Sequence, residues 1–117
     1  MDKKELDNRI SMKESFLLAN DGQYLGKLSL NESNPDSISN NKGIYGSVYA
    51  DTSFKNRYSV YGSAASSLSP YNASTSTPPV LYLKGQKVGV LSKNVNLPDR
   101  IDPDELDEWM TGEKLFD

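Results

Sequence analysis

Residues 37–72 read SISNNKGIYGSVYADTSFKNRYSVYGSAASSLSPYN. Within this stretch the pattern Ser-x-x-Asn begins at Ser37, Ser53 and Ser69, so each copy starts sixteen residues after the one before. The tripeptide Tyr-Gly-Ser occurs twice between the copies, at the same offset. Similarity at a fixed period is typical of chains built from repeated structural units. The stretch therefore predicts a scaffold of repeated turns, and it indicates no chemistry.

Each copy contains the residues of one tight turn. A Ser hydroxyl can accept a hydrogen bond from a backbone N–H two or three residues further on, and Asn tolerates the left-handed conformation that ends such a turn. The third copy runs into residues 74–79, where two prolines predict an extended linker. We assign a structural role to the serines and asparagines of the copies, which are Ser37, Asn40, Ser53, Asn56, Ser69 and Asn72.

A β-hairpin is predicted on each side of the repeats, over residues 15–31 and 80–94. Each hairpin contains an apolar run, a turn with Gly and a segment that alternates at strand period. The second arms agree in type at seven of nine positions when Gln23 is aligned with Gln86. Both arms contain a Gly, which inside a strand marks a bulge or a close approach of another backbone. We expect the two hairpins to meet in one sheet.

A short helix is predicted at each end of the chain. Residues 2–14 have a capping residue but a thin apolar stripe, so we expect a weakly docked arm. Near the C-terminus Asp102 is placed to cap a helix, and Pro103 occupies its first position. Gly112 is placed to end this helix, and Trp109 is expected to dock it on the sheet.

The chain of 117 residues supports one domain with a modest core. We predict a mainly β fold in which two similar β-hairpins flank an irregular three-fold repeat of sixteen residues, with a short helix at each terminus. Its parts are an N-terminal helical arm at residues 1–14, a β and repeat domain at residues 15–97, and an acidic helix at residues 98–117 docked on the same domain. Residues 97–117 hold eight acids and two bases, which makes this last part strongly acidic.

The composition argues against several classes of function. There is no Cys, which excludes disulfides, thiolate metal sites and a cysteine nucleophile, and no His, which removes the usual general base. We therefore expect no enzyme, no catalytic residues and no cofactor. No stretch has the length of a membrane span, and the first residues lack a signal sequence. This predicts a cytoplasmic protein, or an exported or surface-associated one if the N-terminus was trimmed.

Two groups of charged residues fall short of known binding patterns. Asp99, Asp102 and Asp104 lack the Gly and the alternating oxygen ligands of a calcium loop, so we expect helix capping and no metal site. The repeats carry three bases, whereas a nucleic-acid-binding protein normally presents a concentrated basic face. We therefore expect no nucleic-acid partner.

One resemblance covers residues 16–97. Tyr45-Gly46-Ser47, Tyr61-Gly62-Ser63, the repeated Ser-x-x-Asn, Pro78-Pro79 and the Gly-x-Leu-Ser strand that follows resemble an uncharacterised family of small bacterial Tyr-Gly-Ser repeat proteins. The resemblance implies no activity, and it implies export or surface association in some contexts. The second copy departs from the first, because Ala64-Ala65 stands where the first copy has Val48-Tyr49.

Two functions remain open from the sequence. The first is a non-catalytic protein-interaction module that binds through an exposed sheet edge, the tyrosine-bearing repeats or the acidic C-terminal helix, with an inhibitor or immunity-type protein as a special case. The alternative is a carbohydrate- or cell-wall-binding module that uses the Tyr, Asn and Ser side chains of the repeats. Periodic bonding of Ser and Asn to their own backbone explains the spacing without a ligand. The candidate surface for a protein or a glycan is Tyr45, Tyr49, Tyr58, Tyr61, Tyr71, Asn56 and Asn72.

Overall fold

A computed structural model describes all residues from 1 to 117 and contains eight short elements. In chain order they are helix α1 (Lys3–Ser11), strands β1 (Phe16–Leu18), β2 (Tyr24–Lys27), β3 (Val80–Leu83), β4 (Gln86–Leu91) and β5 (Arg100–Ile101), a 3-10 turn (Pro103–Glu105) and helix α2 (Leu106–Gly112). The strands form one mixed sheet in the order β2-β1-β3-β4-β5. The predicted mainly β domain with two short helices is therefore confirmed. Neither helix combines the length and the apolar character needed to cross a membrane.

The centre of the sheet is the antiparallel pair β1 and β3. Leu17 lies opposite Leu81, and both side chains are fully buried. On the outer sides, β2 is antiparallel to β1 and β4 is antiparallel to β3. Strand β5 is parallel to β4, with Val90 opposite Arg100. Two paired residues carry no local sequence signal, and the sequence did not predict this fifth strand.

The two strand glycines have the role that their position predicts. Gly26 has a φ of 118°, and a Cβ at this position would lie 2.7 Å from the Cβ of Tyr45. At Gly89 a Cβ would lie 2.2 Å from the carbonyl oxygen of Asp99. In both strands, another segment therefore approaches the sheet at a place where only Gly leaves room.

The chain also leaves strands β2 and β4 in the same way. After β2 it returns so that Lys27 donates its N–H to the carbonyl of Asp36, at 2.7 Å. After β4 it returns so that Val90 donates its N–H to the carbonyl of Asp99, at 3.0 Å. The acceptor is nine residues after the donor in both places. The second return becomes β5, whereas the first leads into the central repeats.

Residues 34–75 form an unbroken series of turns, which we call the turn ribbon. A backbone N–H bonds to the carbonyl three residues back, and the residue that closes one turn opens the next, as in Asn34, Ser37 and Asn40. At Ser47 and Ser63 the N–H reaches four residues back. Five consecutive turns therefore take up sixteen residues, which is the period of the sequence pattern.

Side-chain oxygens complete the hydrogen bonding of these turns. The hydroxyls of Ser37, Ser53 and Ser69 accept from the N–H two residues further on, at 3.0–3.2 Å. Because the ribbon lacks a partner strand, these bonds satisfy N–H groups that would otherwise depend on water. The ribbon continues through Thr75, whose hydroxyl accepts from the N–H of Thr77, at 3.1 Å. The prediction of an extended linker from residue 74 was therefore wrong at its start.

The asparagines of the three Ser-x-x-Asn copies bond differently from what we expected. None of them has a positive φ, so the predicted left-handed conformation was wrong. Each amide oxygen instead accepts from the N–H two residues on, and each amide Nδ2 donates to the carbonyl six residues back, at 3.1 Å in all three copies. Each side chain thus links two neighbouring turns of the ribbon.

The core contains residues from the sheet, the ribbon and α2. The ribbon contributes Ile38 and Phe54, and α2 contributes Leu106 and Met110. Trp109 is only half-buried and packs against the edge of this cluster. Leu106 and Met110 are therefore the buried anchors of the C-terminal helix, and Trp109 makes the expected contact with the core from a half-buried position.

The helix ends agree in part with the prediction. Asp2 caps α1 by accepting from the N–H of Glu5 at 2.8 Å, and no residue of α1 is buried, as expected of a weakly docked arm. Asp102 accepts from the N–H of Asp104, so the C-terminal helix begins with a 3-10 turn. Helix α2 ends at Gly112, as predicted, and a left-handed residue follows at Lys114, with a φ of 59°.

Candidate functional site

Two of the five candidate tyrosines of the ribbon contact the β1–β2 pair. The ring of Tyr45 meets the ring of Tyr24 edge-on, with centroids 5.1 Å apart, and burial raises the pKa of Tyr45. The hydroxyl of Tyr61 donates to Asp21 Oδ2 at 2.8 Å, and burial together with this bond raises the pKa of Tyr61 to about 12. Both tyrosines hold the ribbon against the sheet and are not free to bind a partner.

A third tyrosine, Tyr71, forms the middle of a stack. Its ring lies 6.5 Å from that of Phe54, centroid to centroid, and the Arg57 guanidinium lies 3.5 Å above its centroid. Burial raises the pKa of Tyr71. A cation over an aromatic face contributes roughly 0.5–1 kcal/mol at a partly exposed site. Tyr71 therefore serves the packing of the ribbon and orients Arg57.

The remaining two tyrosines project from the protein. Tyr49 is 89% exposed and Tyr58 is 98% exposed, and neither hydroxyl has a hydrogen-bond partner within the chain. Both line an open groove of about 400 Å³. We call it the tyrosine groove, and its lining is Val48, Tyr49, Lys55, Asn56, Arg57 and Tyr58. Of the seven candidate surface residues, the structure brings Tyr49, Tyr58 and Asn56 together here.

The two candidate asparagines are occupied by bonds within the ribbon. Asn56 is 6% exposed; its amide donates to the carbonyl of Ala50 and accepts from the N–H of Tyr58. Asn72 makes the equivalent bonds to Ser66 and Ser74. The Nδ2 and the Oδ1 of both amides are therefore each bonded to the backbone of the ribbon.

The charged groups of the tyrosine groove are both cationic. Arg57 is exposed and lies over Tyr71, while Lys55 is half-buried. Burial lowers the pKa of Lys55, against the opposing effects of Asp107 and Glu32. No carboxylate lines the groove. Its electrostatic character is therefore positive, although the chain as a whole carries a net charge of −3.

Two of the three acidic candidates near the C-terminus, Asp102 and Asp104, form an ion-pair cluster. Lys93 Nζ lies 2.9 Å from Asp102 Oδ1 and 2.5 Å from Asp104 Oδ2. Arg100 adds a longer contact to Asp102, at 3.7 Å. These pairs tie the segment after β4 to the start of the C-terminal helix.

The largest cavity of the molecule was not found from the sequence. It has a volume of about 550 Å³ and lies where both helices end beside the sheet. Four lysines line it: Lys13, Lys27, Lys84 and Lys114. They are far apart in the sequence and fit no motif. The one available signal was that Lys13 and Lys114 follow the last residues of the two helices.

No protein family model matches the chain, and no curated protein or solved structure is significantly similar to it. Its function must therefore be inferred from the geometry of its own residues.

Proposed function

We propose that this protein is a non-catalytic interaction module that binds another protein through the tyrosine groove. The observation that carries the proposal is the exposure of Tyr49 and Tyr58, at 89% and 98%, beside a common groove. Exposed neighbouring aromatics are unusual on a surface without a partner, and Tyr is among the residues that contribute most to binding at protein interfaces. The hydroxyl of each ring remains available for a bond to the partner.

The scaffold does not require tyrosine at either position. Sixteen residues after Tyr49 the chain has Ala65, and sixteen residues before and after Tyr58 it has Lys42 and Ser74. By contrast Tyr45 and Tyr61, which are sixteen residues apart, both pack against the β1–β2 pair. The exposed rings thus occupy positions where the repeat accepts small or polar residues, which favours a role outside folding.

The charges of the groove indicate what the partner presents. Lys55 and Arg57 are its only ionised side chains, and both are cationic. Matching potentials across an interface favour association and exclude wrong partners. We infer that the partner offers an apolar surface bordered by acidic groups. Binding that inhibits or neutralises this partner is the special case of an inhibitor or immunity-type protein.

A carbohydrate- or cell-wall-binding module is the alternative, and it has less support. Both tyrosine rings could stack on a sugar, but a glycan site also needs polar groups that converge on the sugar hydroxyls. The amides that could supply them, Asn56 and Asn72, are used by the ribbon itself.

We also propose that the scaffold consists of internal repeats. We interpret the turn ribbon as copies of one sixteen-residue unit and the two antiparallel strand pairs as copies of one hairpin. The equal asparagine bonds in three copies support the first interpretation. The equal returns of the chain after β2 and β4 support the second. The likeness to Tyr-Gly-Ser repeat proteins would then be a likeness of scaffold.

The test is capture of partners by the wild type and by two matched variants. Tyr49→Ser with Tyr58→Ser removes both rings, whereas Val95→Ser removes an apolar side chain that is 75% exposed outside the groove. Tagged proteins are incubated with soluble extract and with purified cell wall from the source organism. We expect one protein in stoichiometric amount with the wild type and with Val95→Ser, and its loss with the double variant.

Two results would contradict the proposal. Capture that is equal for the wild type and the double variant would show that the tyrosine groove is not the binding site. Retention on wall material that depends on the two tyrosines, without a protein, would favour the glycan alternative. If a protein is captured, its activity with and without the wild type then decides whether binding inhibits it.

A further inference from the structure

The lysine-lined cavity is a second feature of the surface, and it shares no residue with the tyrosine groove. Its lysines come from four separate places: the segment after α1, the end of β2, the β3–β4 turn and the segment after α2. None of the four ammonium groups takes part in an ion pair or a hydrogen bond within the chain. Four unpaired cations therefore converge on one cavity of about 550 Å³.

Three of these lysines have a backbone conformation that disfavours them. Lys13, Lys84 and Lys114 have φ values of 57°, 50° and 59°, and the chain has only one other residue besides Gly with a positive φ. Gly or Asn is the preferred residue at such turn and helix-end positions. Non-Gly residues in this conformation cluster at functional sites. Turn geometry therefore does not explain why all three positions carry a lysine that lines the same cavity.

The helix dipoles explain only part of this arrangement. A cation near the C-terminal end of a helix is favourable, which suits Lys13 and Lys114. Lys27 ends a strand and Lys84 lies in a tight turn, so no helix end accounts for either of them. A role common to all four lysines therefore has to come from the cavity itself.

We propose that this cavity binds a small phosphate-bearing molecule. Lysine ammonium groups bind phosphate as mobile point charges, and several of them suit an anion with several negative oxygens. Pockets of 300–1,000 Å³ are typical for small-molecule ligands. The exposed side chain of Met12 and the half-buried Leu115 supply apolar surface beside the charges, so the molecule carries an organic part as well.

The acids that line the cavity set a limit on the ligand. Glu14 is bound by Arg9 at 2.8 Å, which leaves Asp36, Glu113 and Asp117 against the four lysines. The remaining positive excess is small. The cavity therefore attracts a monoanion only weakly, whereas a di- or polyphosphate can contact several lysines while staying away from the carboxylates. Removal of a carboxylate should accordingly strengthen binding.

Isothermal titration calorimetry measures the affinity of the protein for inorganic phosphate, pyrophosphate and ATP. We expect pyrophosphate and ATP to bind more tightly than phosphate, and added salt to weaken them. Lys84→Asn and Lys114→Gly each place a preferred residue in the left-handed conformation, so each should raise the melting temperature while weakening binding about tenfold. Glu113→Gln should strengthen binding. Lys87→Ala, an exposed lysine of β4 outside the cavity, is the control and should change neither value.

Three results would overturn the proposal. No binding of pyrophosphate or ATP at millimolar concentration would show that the cavity is not a phosphate site. Equal binding by the wild type and by Lys84→Asn would mean that the anion binds elsewhere. If Lys84→Asn lowers both stability and binding, Lys27→Met decides, because it leaves the turn intact, and unchanged binding in this variant refutes the site. Partner capture through the tyrosine groove is measured separately, so the two proposals can fail independently.

Discussion

Replacement of Asn56 by Ala tests how the turn ribbon is held together. The amide of Asn56 donates to the carbonyl of Ala50 at 3.1 Å and accepts from the N–H of Tyr58 at 3.0 Å, and the residue is 6% exposed. Each hydrogen bond contributes about 1 kcal/mol net, and a buried partner left unpaired adds a desolvation cost. We therefore expect Asn56→Ala to lower the free energy of unfolding by about 2–3 kcal/mol. For a domain of this size that corresponds to a fall in melting temperature on the order of 10 °C.

The matched control is Asn40→Ala. Asn40 makes the same two bonds, at 3.1 and 3.0 Å, but its side chain is partly exposed, so water can replace them at a cost of about 1 kcal/mol. Urea unfolding followed by Trp109 fluorescence and by far-ultraviolet circular dichroism gives both values. An Asn56→Ala protein within about 0.5 kcal/mol of the wild type would refute the reasoning. Equal costs at both positions would show that burial does not set the strength of these bonds.

Two further predictions concern the scaffold. A Cβ at Gly62 would lie 2.1 Å from the carbonyl oxygen of Asn56, whereas a Cβ at Gly112 has open space around it. Gly62→Ala should therefore lower the free energy of unfolding by about 3 kcal/mol or prevent folding, while Gly112→Ala should stabilise α2 by about 0.5–1 kcal/mol. A similar effect of both substitutions in urea unfolding would contradict this explanation. The hydrogen bond from Lys93 holds the pKa of Asp102 below its usual value of 3.8. A depressed folded-state pKa contributes stability that is present above the unfolded value and is lost as the pH falls through the folded one. The urea midpoint should therefore drop in acid and Lys93→Met should flatten part of that drop, whereas parallel curves for the two proteins would argue against the pair.

The elements that the sequence predicts best are those with a local cause. The start of the C-terminal helix follows from Asp102 and Pro103 alone, and a Gly inside a strand, as at Gly26 and Gly89, predicts a bulge or a close approach of another segment. Strand β5 could not be predicted, because it consists of two residues that pair only after the chain has returned to β4. Its position depends on the fold as a whole and not on its own sequence.

The tyrosines show the same limit at the candidate site. Helices and strands have known periods, so their exposed faces can be read from a pattern. The turn ribbon advances by three residues in most turns and by four at Ser47 and Ser63, and such a path has no standard face. The repeat separates Tyr45, which recurs as Tyr61 and packs on Tyr24, from Tyr49, which is 89% exposed. It does not identify Tyr71, which packs on Phe54 without recurring, so only the folded ribbon sorts all the tyrosines.

The backbone of the ribbon explains the composition that made the sequence hard to interpret. In each turn the N–H of the last residue bonds to the carbonyl of the first residue. The N–H of the residue before the last bonds to a side-chain oxygen of the first residue. A ribbon without a partner strand must therefore place Ser, Asn or Thr at about every third position, whatever the protein binds. Only the turns that begin at Gly43 and Ala50 lack such a side-chain oxygen. Because the scaffold accounts for the serines and asparagines, a function of this surface has to depend on residues that the turns do not need, and Tyr49 and Tyr58 meet that condition.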